Sequence, residues 1–154
     1  RVFDTPGHTR GHIVYYMPED RVAFVGDTLF AMGCGRLFEG TPEQMWTSLQ
    51  KLMQWPDDTS VYCGHEYTQA NARFALSVEP DNAALIERAR EVDALRARNE
   101  PTLPTTMGIE KETNPFLRPM SLEIAAKVGV DGSDLGESSL VEVFARTRAL
   151  KDKF

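Results

Sequence analysis

Among the glycines of this chain that stand immediately before a residue able to bind a metal, three share one context: Gly7-His8, Gly26-Asp27 and Gly64-His65. The second and third pairs follow short apolar runs, Val22-Ala23-Phe24-Val25 and Val61-Tyr62-Cys63, which read as buried strands. Arg1-Val2-Phe3-Asp4-Thr5-Pro6, before the first, can be read as the end of another. Glycine lets the backbone turn sharply and lets chain or ligand approach closely. Turns just past strand ends therefore gather side chains from distant sequence onto one spot. The chain has three histidines in all, and two of them hold these positions. A His, Asp and His set suits zinc or another divalent transition metal. One such pair alone is commonly a plain turn. Three in similar contexts make metal binding the working expectation.

The words around these pairs occur in a fixed order. They are Thr5-Pro6-Gly7-His8-Thr9 with Gly11-His12, Gly26-Asp27-Thr28-Leu29-Phe30, Gly33-Cys34-Gly35-Arg36, Phe38-Glu39-Gly40-Thr41, Gly64-His65-Glu66-Tyr67-Thr68 and Asn114-Pro115-Phe116-Leu117-Arg118. On these motifs the chain resembles glyoxalase II, the hydroxyacylglutathione hydrolases of the metallo-β-lactamase superfamily. The first two motifs are shared across the superfamily, whereas Gly-His-Glu-Tyr-Thr and Asn-Pro-Phe-Leu-Arg are more specific to glyoxalase II. The likeness runs from Arg1 to the closing Lys151-Asp152-Lys153-Phe154.

That resemblance implies an α/β fold over residues 1–68, the second half of an αββα metallo-β-lactamase sandwich, followed by an all-α, glutathione-binding domain over residues 69–154. It implies His8 as a ligand of one metal, His65 as a ligand of the other, and Asp27 bridging both. The cofactors would be two divalent metal ions, zinc, with iron or manganese as alternatives. Asp27 would act in catalysis through the hydroxide that the two ions hold, which attacks a thioester carbonyl. The implied substrate is an S-2-hydroxyacylglutathione such as S-D-lactoylglutathione, hydrolysed to glutathione and a 2-hydroxy acid in the second step of methylglyoxal detoxification. Arg36, Phe38, Tyr67 and Arg118 match the family's glutathione-binding positions. Arg36 replaces a frequent lysine and Phe38 a frequent tyrosine, and Pro119-Met120-Ser121 offers no second cation after Arg118. His12 is not a family ligand; it is expected to donate a hydrogen bond that fixes the ligand loop.

One large family feature has no counterpart. The His-x-His-x-Asp-His run that supplies four metal ligands does not occur, and the chain begins with Arg1 rather than Met. The expectation is a C-terminal portion whose missing partner is the N-terminal half of its own fold. Two other readings stand beside this one. One is a different metallo-β-lactamase-fold enzyme, such as a persulfide dioxygenase with one iron, against which Gly64-His65-Glu66-Tyr67-Thr68 and Arg118 count. The other is a non-catalytic binding or assembly fragment.

Composition bounds the setting. The 154 residues are enough for one domain with a buried core, and the apolar and charged fractions are those of a globular protein. A net charge of −6 argues against general nucleic-acid binding, and any anionic ligand must be met by local cations. No apolar run approaches the ~20 residues of a membrane-spanning helix. Two cysteines, Cys34 and Cys63, form no disulfide framework and favour a reducing, cytoplasmic setting.

The elements that must position the metal-binding pairs are legible in outline. His12 to Met17 and Arg21 to Val25 read as strands joined through Pro18-Glu19-Asp20. Thr41, Pro42 and Gln44 announce a helix by a capping box, and Met45, Trp46, Leu49, Leu52 and Met53 share its inner face. Beyond residue 68 the pattern turns helical. Thr68 is read as the cap of a helix to Val78, and Pro80-Asp81 as the start of another reaching Asn99. On that second helix Arg88, Arg90, Arg96 and Arg98 are taken as solvated. Pro101 to Pro119 reads as irregular. Helices over Leu122–Val128, closed by Gly129, and Leu140–Lys151, with Ser139 and Glu142 as capping box, complete the chain. The face of the strands left for the missing half is assigned to Ile13, Tyr15, Phe24 and Val61.

Overall fold

Alternation along the strands decides the architecture. In the computed structural model, which describes residues 1–133 and 136–154, Val14, Tyr16, Ala23, Val25 and Val61 are buried, while Ile13, Tyr15, Phe24 and Tyr62 between them are exposed. Strand side chains point alternately to opposite faces, so one face of the sheet is covered and the other is open. The strands are β1 (Val2–Asp4), β2 (Ile13–Met17), β3 (Val22–Gly26), β4 (Leu29–Phe30), β5 (Gly33–Cys34), β6 (Ser60–Cys63) and β7 (Thr105–Thr106). A five-stranded sheet has the order β1-β2-β3-β6-β7, and β4 pairs with β5 in a small hairpin. Only β3 and β6 run parallel, which requires the crossover that a helix supplies.

That helix is α1 (Pro42–Met53), and it begins as the sequence announces. Thr41 Oγ1 accepts the Gln44 backbone N–H at 3.2 Å, and Gln44 Oε1 accepts the Thr41 N–H at 3.0 Å. Its Met45, Trp46, Leu49 and Leu52 lie in one apolar cluster with Val14, Ala23, Val25 and Val61. The open face carries Val2, Ile13, Tyr15, Met17 and Phe24, with Phe24 stacked on Tyr62 at 5.2 Å. Val61 was expected on this face. It is buried beneath α1, and Tyr62, one residue on, takes its place, the face swap that a one-residue slip produces.

Among the described residues five more helices come after it: α2 (Thr68–Val78), α3 (Ala83–Ala97), α4 (Met107–Thr113), α5 (Leu122–Val128) and α6 (Glu137–Asp152). Thr68 does not cap α2. Tyr67 stands at that position without a side-chain cap bond, and Thr68 Oγ1 instead accepts from Thr102 Oγ1 at 2.6 Å. The cap of α3 is Asn82, whose side chain accepts the Leu85 N–H, and the helix stops at Ala97, just before Asn99 at φ 57°. Arg88 is buried rather than solvated, donating to the Thr102 carbonyl at 3.2 Å and to Glu91 at 2.6 Å. The stretch read as irregular holds β7, α4 and a 3-10 turn at Pro115–Leu117. Gly129 closes α5 in the left-handed conformation, as expected. The last helix starts earlier than the sequence suggests, at Glu137 after Gly136, and has no side-chain cap.

The helical part is not separate from the sheet. Phe74, Met107, Phe116, Ile124 and Phe144 join the same apolar cluster as α1, and β7 pairs with β6.

Candidate functional site

The pairs Gly7-His8, Gly26-Asp27 and Gly64-His65 converge. Each follows a strand, and β1, β3 and β6 bring their ends to one edge of the sheet. Asp27 lies between the two imidazoles. Its Oδ2 is 3.4 Å from His8 Nε2 and its Oδ1 is 3.5 Å from His65 Nε2. Two glycines make this approach possible. Gly26 sits at φ +51°, where an added Cβ would meet the His12 ring at 2.8 Å, and a Cβ on Gly64 would meet Asp27 Oδ1 at 2.5 Å.

The orientation of each ligand side chain has a cause. His8 Nδ1 is 2.8 Å from the Arg36 carbonyl oxygen. A carbonyl only accepts, so Nδ1 carries a proton, and Nε2, on the Asp27 side, is the ring nitrogen left to face a metal. Asp27 is held through its backbone, whose N–H donates to His12 Nε2 at 3.1 Å. His12 therefore accepts on the side of the ligand loop, where donation was expected. Its Nδ1 donates to the buried Thr28 at 3.0 Å, and Thr28 in turn meets Thr5 at 2.9 Å. Burial, with His8 nearby, holds the His12 imidazole below its ordinary pKa and so keeps it neutral. His65 stacks on Tyr67 at 4.8 Å, and Glu66 anchors that loop by accepting from the Thr102 N–H at 2.6 Å.

A cavity of about 570 Å³ opens on this cluster. Its walls include Phe30, Phe38 and Tyr67, with Arg36, Arg148 and Lys151 as cations. Phe38 lies 5.1 Å from the His8 ring, so each candidate ligand imidazole has an aromatic neighbour. Arg148 is almost wholly buried. It donates to the Cys34 carbonyl at 2.7 Å and to Asp152 at 2.9 Å, and lies 5.0 Å over the Phe116 ring. Burial, with Arg148, Arg36 and Arg73 close by, lowers the pKa of the Lys151 ammonium. Burial pushes the Cys34 thiol up to about 11, which leaves it protonated and unreactive.

The structure thus brings His8, Asp27, His65, Arg36, Phe38 and Tyr67 together, but not Arg118. The Arg118 guanidinium grips Glu79 with two bonds, of 2.9 and 2.8 Å, and donates to the Lys111 carbonyl, outside the cavity wall. An arginine in a turn is as able to clamp a buried carboxylate as to hold a ligand, and here it clamps. Arg148 and Lys151 were missed. Two cations one helical turn apart, near the end of the last helix, were the available signal. Among the described residues no three His, Cys, Asp or Glu side chains converge closely enough to hold an ion by themselves. His8 with Asp27, and His65 with Asp27, offer two donors on each side, so their chemistry fits divalent metals while their number falls short of the usual three or four.

Comparisons with known proteins agree with these motifs. Residues 66–154 match the family model for the hydroxyacylglutathione hydrolase C-terminus, and residues 1–65 match that of the metallo-beta-lactamase superfamily. A hydroxyacylglutathione hydrolase of Maricaulis maris is 58% identical over 154 residues, covering 100% of this chain and 58% of that protein. One of Rhizobium meliloti is 54% identical over 153 residues, covering 99% of this chain and 58% of the relative. The chain thus spans about 58% of the length of the curated relatives it matches. Among solved structures, the BLEG-1 B3 metallo-beta-lactamase aligns with a TM-score of 0.50 at 29% identity, over 76% of this chain and 40% of that one. A protein crystallised in a di-iron-bound form aligns with the same TM-score and identity, over 76% and 42%. ETHE1 from Myxococcus xanthus, at 24% identity and a TM-score of 0.53 over 98% and 53%, shares the fold. That fold implies divalent metal ions. With its C-terminal 89 residues on one family model and the rest on the superfamily's, the chain belongs to the hydroxyacylglutathione hydrolase family of the metallo-β-lactamase superfamily.

Proposed function

We propose that the whole protein hydrolyses the thioester of an S-2-hydroxyacylglutathione, such as S-D-lactoylglutathione, to glutathione and a 2-hydroxy acid, and that this chain supplies half of its metal centre and most of its glutathione site. The observation that carries the reading is Asp27, set between two imidazoles with one carboxylate oxygen toward each. A carboxylate so shared offsets the repulsion between two cations and suits two zinc ions, with iron or manganese as alternatives. When bound, such ions supply Lewis acidity and an activated water. His8 and Asp27 would hold one ion, and His65 and Asp27 the other.

The chain's own residues do the rest. The Arg36 carbonyl fixes the His8 side chain and His12 the Asp27 backbone before any substrate arrives, so little reorganisation is needed there. Arg36 and Lys151 stand on the cavity wall as partners for the two carboxylates of glutathione. Phe38 and Tyr67 line the same cavity beside the candidate ligand imidazoles and offer the substrate apolar contacts. In this reading the open face of Ile13, Tyr15, Phe24 and Tyr62 packs against the rest of the sandwich. Free Cys34 and Cys63 suit a reducing cytoplasm, and no described helix is long and apolar enough to cross a membrane.

The test compares the full-length protein on S-D-lactoylglutathione and on a simple thioester lacking the peptide. A large kcat/KM advantage for the glutathione thioester supports the proposal. Equal activity on both removes the reason for a glutathione substrate.

A further inference from the structure

The hairpin of β4 and β5 turns through Ala31 and Met32, and Met32 adopts φ +55°, a conformation that side-chain-bearing residues rarely take. Such a conformation persists only where the surroundings over-determine it. Here side chains of the helical part contribute much of that hold. Asn114 Nδ2 faces the carbonyls of Phe30 at 3.1 Å and Gly33 at 3.0 Å. Glu110 Oε2 accepts the Met32 N–H at 2.8 Å, and Asn71 donates to the Ala31 carbonyl at 3.1 Å. Asn114 and Glu110 are themselves joined at 2.9 Å and wholly buried. All four residues of the turn, Phe30 to Gly33, are thereby tied by backbone groups to helices 40 or more positions away in sequence.

Gly35 and Arg36 come directly after the hairpin, and it is the Arg36 carbonyl that accepts from His8 Nδ1. We infer that Asn114 is a positioning residue for the metal centre: by holding Phe30 and Gly33 it sets the hairpin, the hairpin sets the Arg36 backbone, and that carbonyl orients His8. The helical part then does more than supply a wall for the substrate; it builds one half of the ligand set. This inference rests on the reading of His8 and Asp27 as metal ligands.

The test is zinc affinity, measured by chelator competition on the full-length protein, with folding followed by circular dichroism. Asn114→Ala weakens zinc binding by about ten- to a hundredfold, the usual cost of losing a group that orients a ligand. kcat falls with it, and KM for the glutathione thioester changes less. Should that variant fail to fold, Glu110→Gln keeps the volume and weakens the same hairpin, and zinc affinity falls in the same direction. Asn82→Ala removes a half-buried asparagine that caps α3, donates to Glu79 and touches neither hairpin nor cavity. It lowers Tm and leaves zinc affinity unchanged. A folded Asn114→Ala or Glu110→Gln protein with wild-type zinc affinity overturns the inference. A wild-type protein that takes up no zinc overturns the metal-site reading, and the inference with it.

Discussion

His8 Nδ1 donates to the main-chain carbonyl of Arg36 across 2.8 Å, which joins a candidate metal ligand to a candidate substrate cation through a single peptide group. The same residue therefore serves twice: its backbone fixes the His8 tautomer, and its side chain stands on the cavity wall. Side-chain variants of Arg36 leave the first role intact, so the two can be told apart.

Arg36→Ala and Lys151→Ala in the full-length protein should raise KM for a glutathione thioester more than they lower kcat. These cations would hold a part of the substrate that does not change in the transition state. A charge-assisted hydrogen bond is worth about 1.5–3 kcal/mol, so the expected loss is roughly ten- to a hundredfold. Steady-state kinetics on both variants checks this, and a fall confined to kcat counts against it.

Arg118→Ala should act on stability instead. Glu79 is 3% exposed and would be left with Asn82 and Ser121 as donors, at a cost of about 2–3 kcal/mol. Burial works to raise the Glu79 pKa, but the bonds from Arg118, Asn82 and Ser121 outweigh it and hold the carboxyl below its ordinary 4.5. A depressed carboxylate stabilises the fold above that ordinary value, and the contribution is lost as pH falls through the lower folded value. The gap in Tm between wild type and Arg118→Ala should therefore be full near neutrality and shrink on acidification below 4.5. A gap that does not depend on pH would remove Glu79 from the explanation.

The range of each interaction decides how much of the fold and site was legible in the sequence. Local signals read well: the Thr41–Gln44 capping box, the Gly129 stop and the strand-end glycines each involve a few adjacent residues. The convergence of the three candidate pairs was legible because turns after strands have a sequence signature. The clamp of Arg118 on Glu79 was not legible because the two lie 39 residues apart, and nothing near Arg118 announces it. Arg148 and Lys151 were passed over because their part in the cavity exists only once α6 packs against β5. Val61 and Tyr62 were confused because a four-residue strand gives too few alternations to fix which side faces in.

The open sheet face yields a prediction for the 154-residue chain by itself. Ile13, Tyr15, Phe24 and Tyr62 present a contiguous apolar surface, of a kind that drives association. Expressed alone, the chain should be oligomeric or poorly soluble and bind a hydrophobic dye, and Phe24→Glu should reduce both effects. Sedimentation and dye fluorescence check this. A monomeric chain without dye binding would mean that the face needs no cover.

The central claim is that Asp27 is shared by two metal ions, and metal content tests it most directly. The full-length protein should carry two ions per chain, and Asp27→Ala should lose most of both, since the shared carboxylate is what lets them sit together. The 154-residue chain alone should bind weakly or in part, because His8, Asp27 and His65 give two donors to each ion where three or four are usual. Elemental analysis of Asp27→Ala showing close to zero ions is the predicted result; two ions retained in that variant would contradict the account.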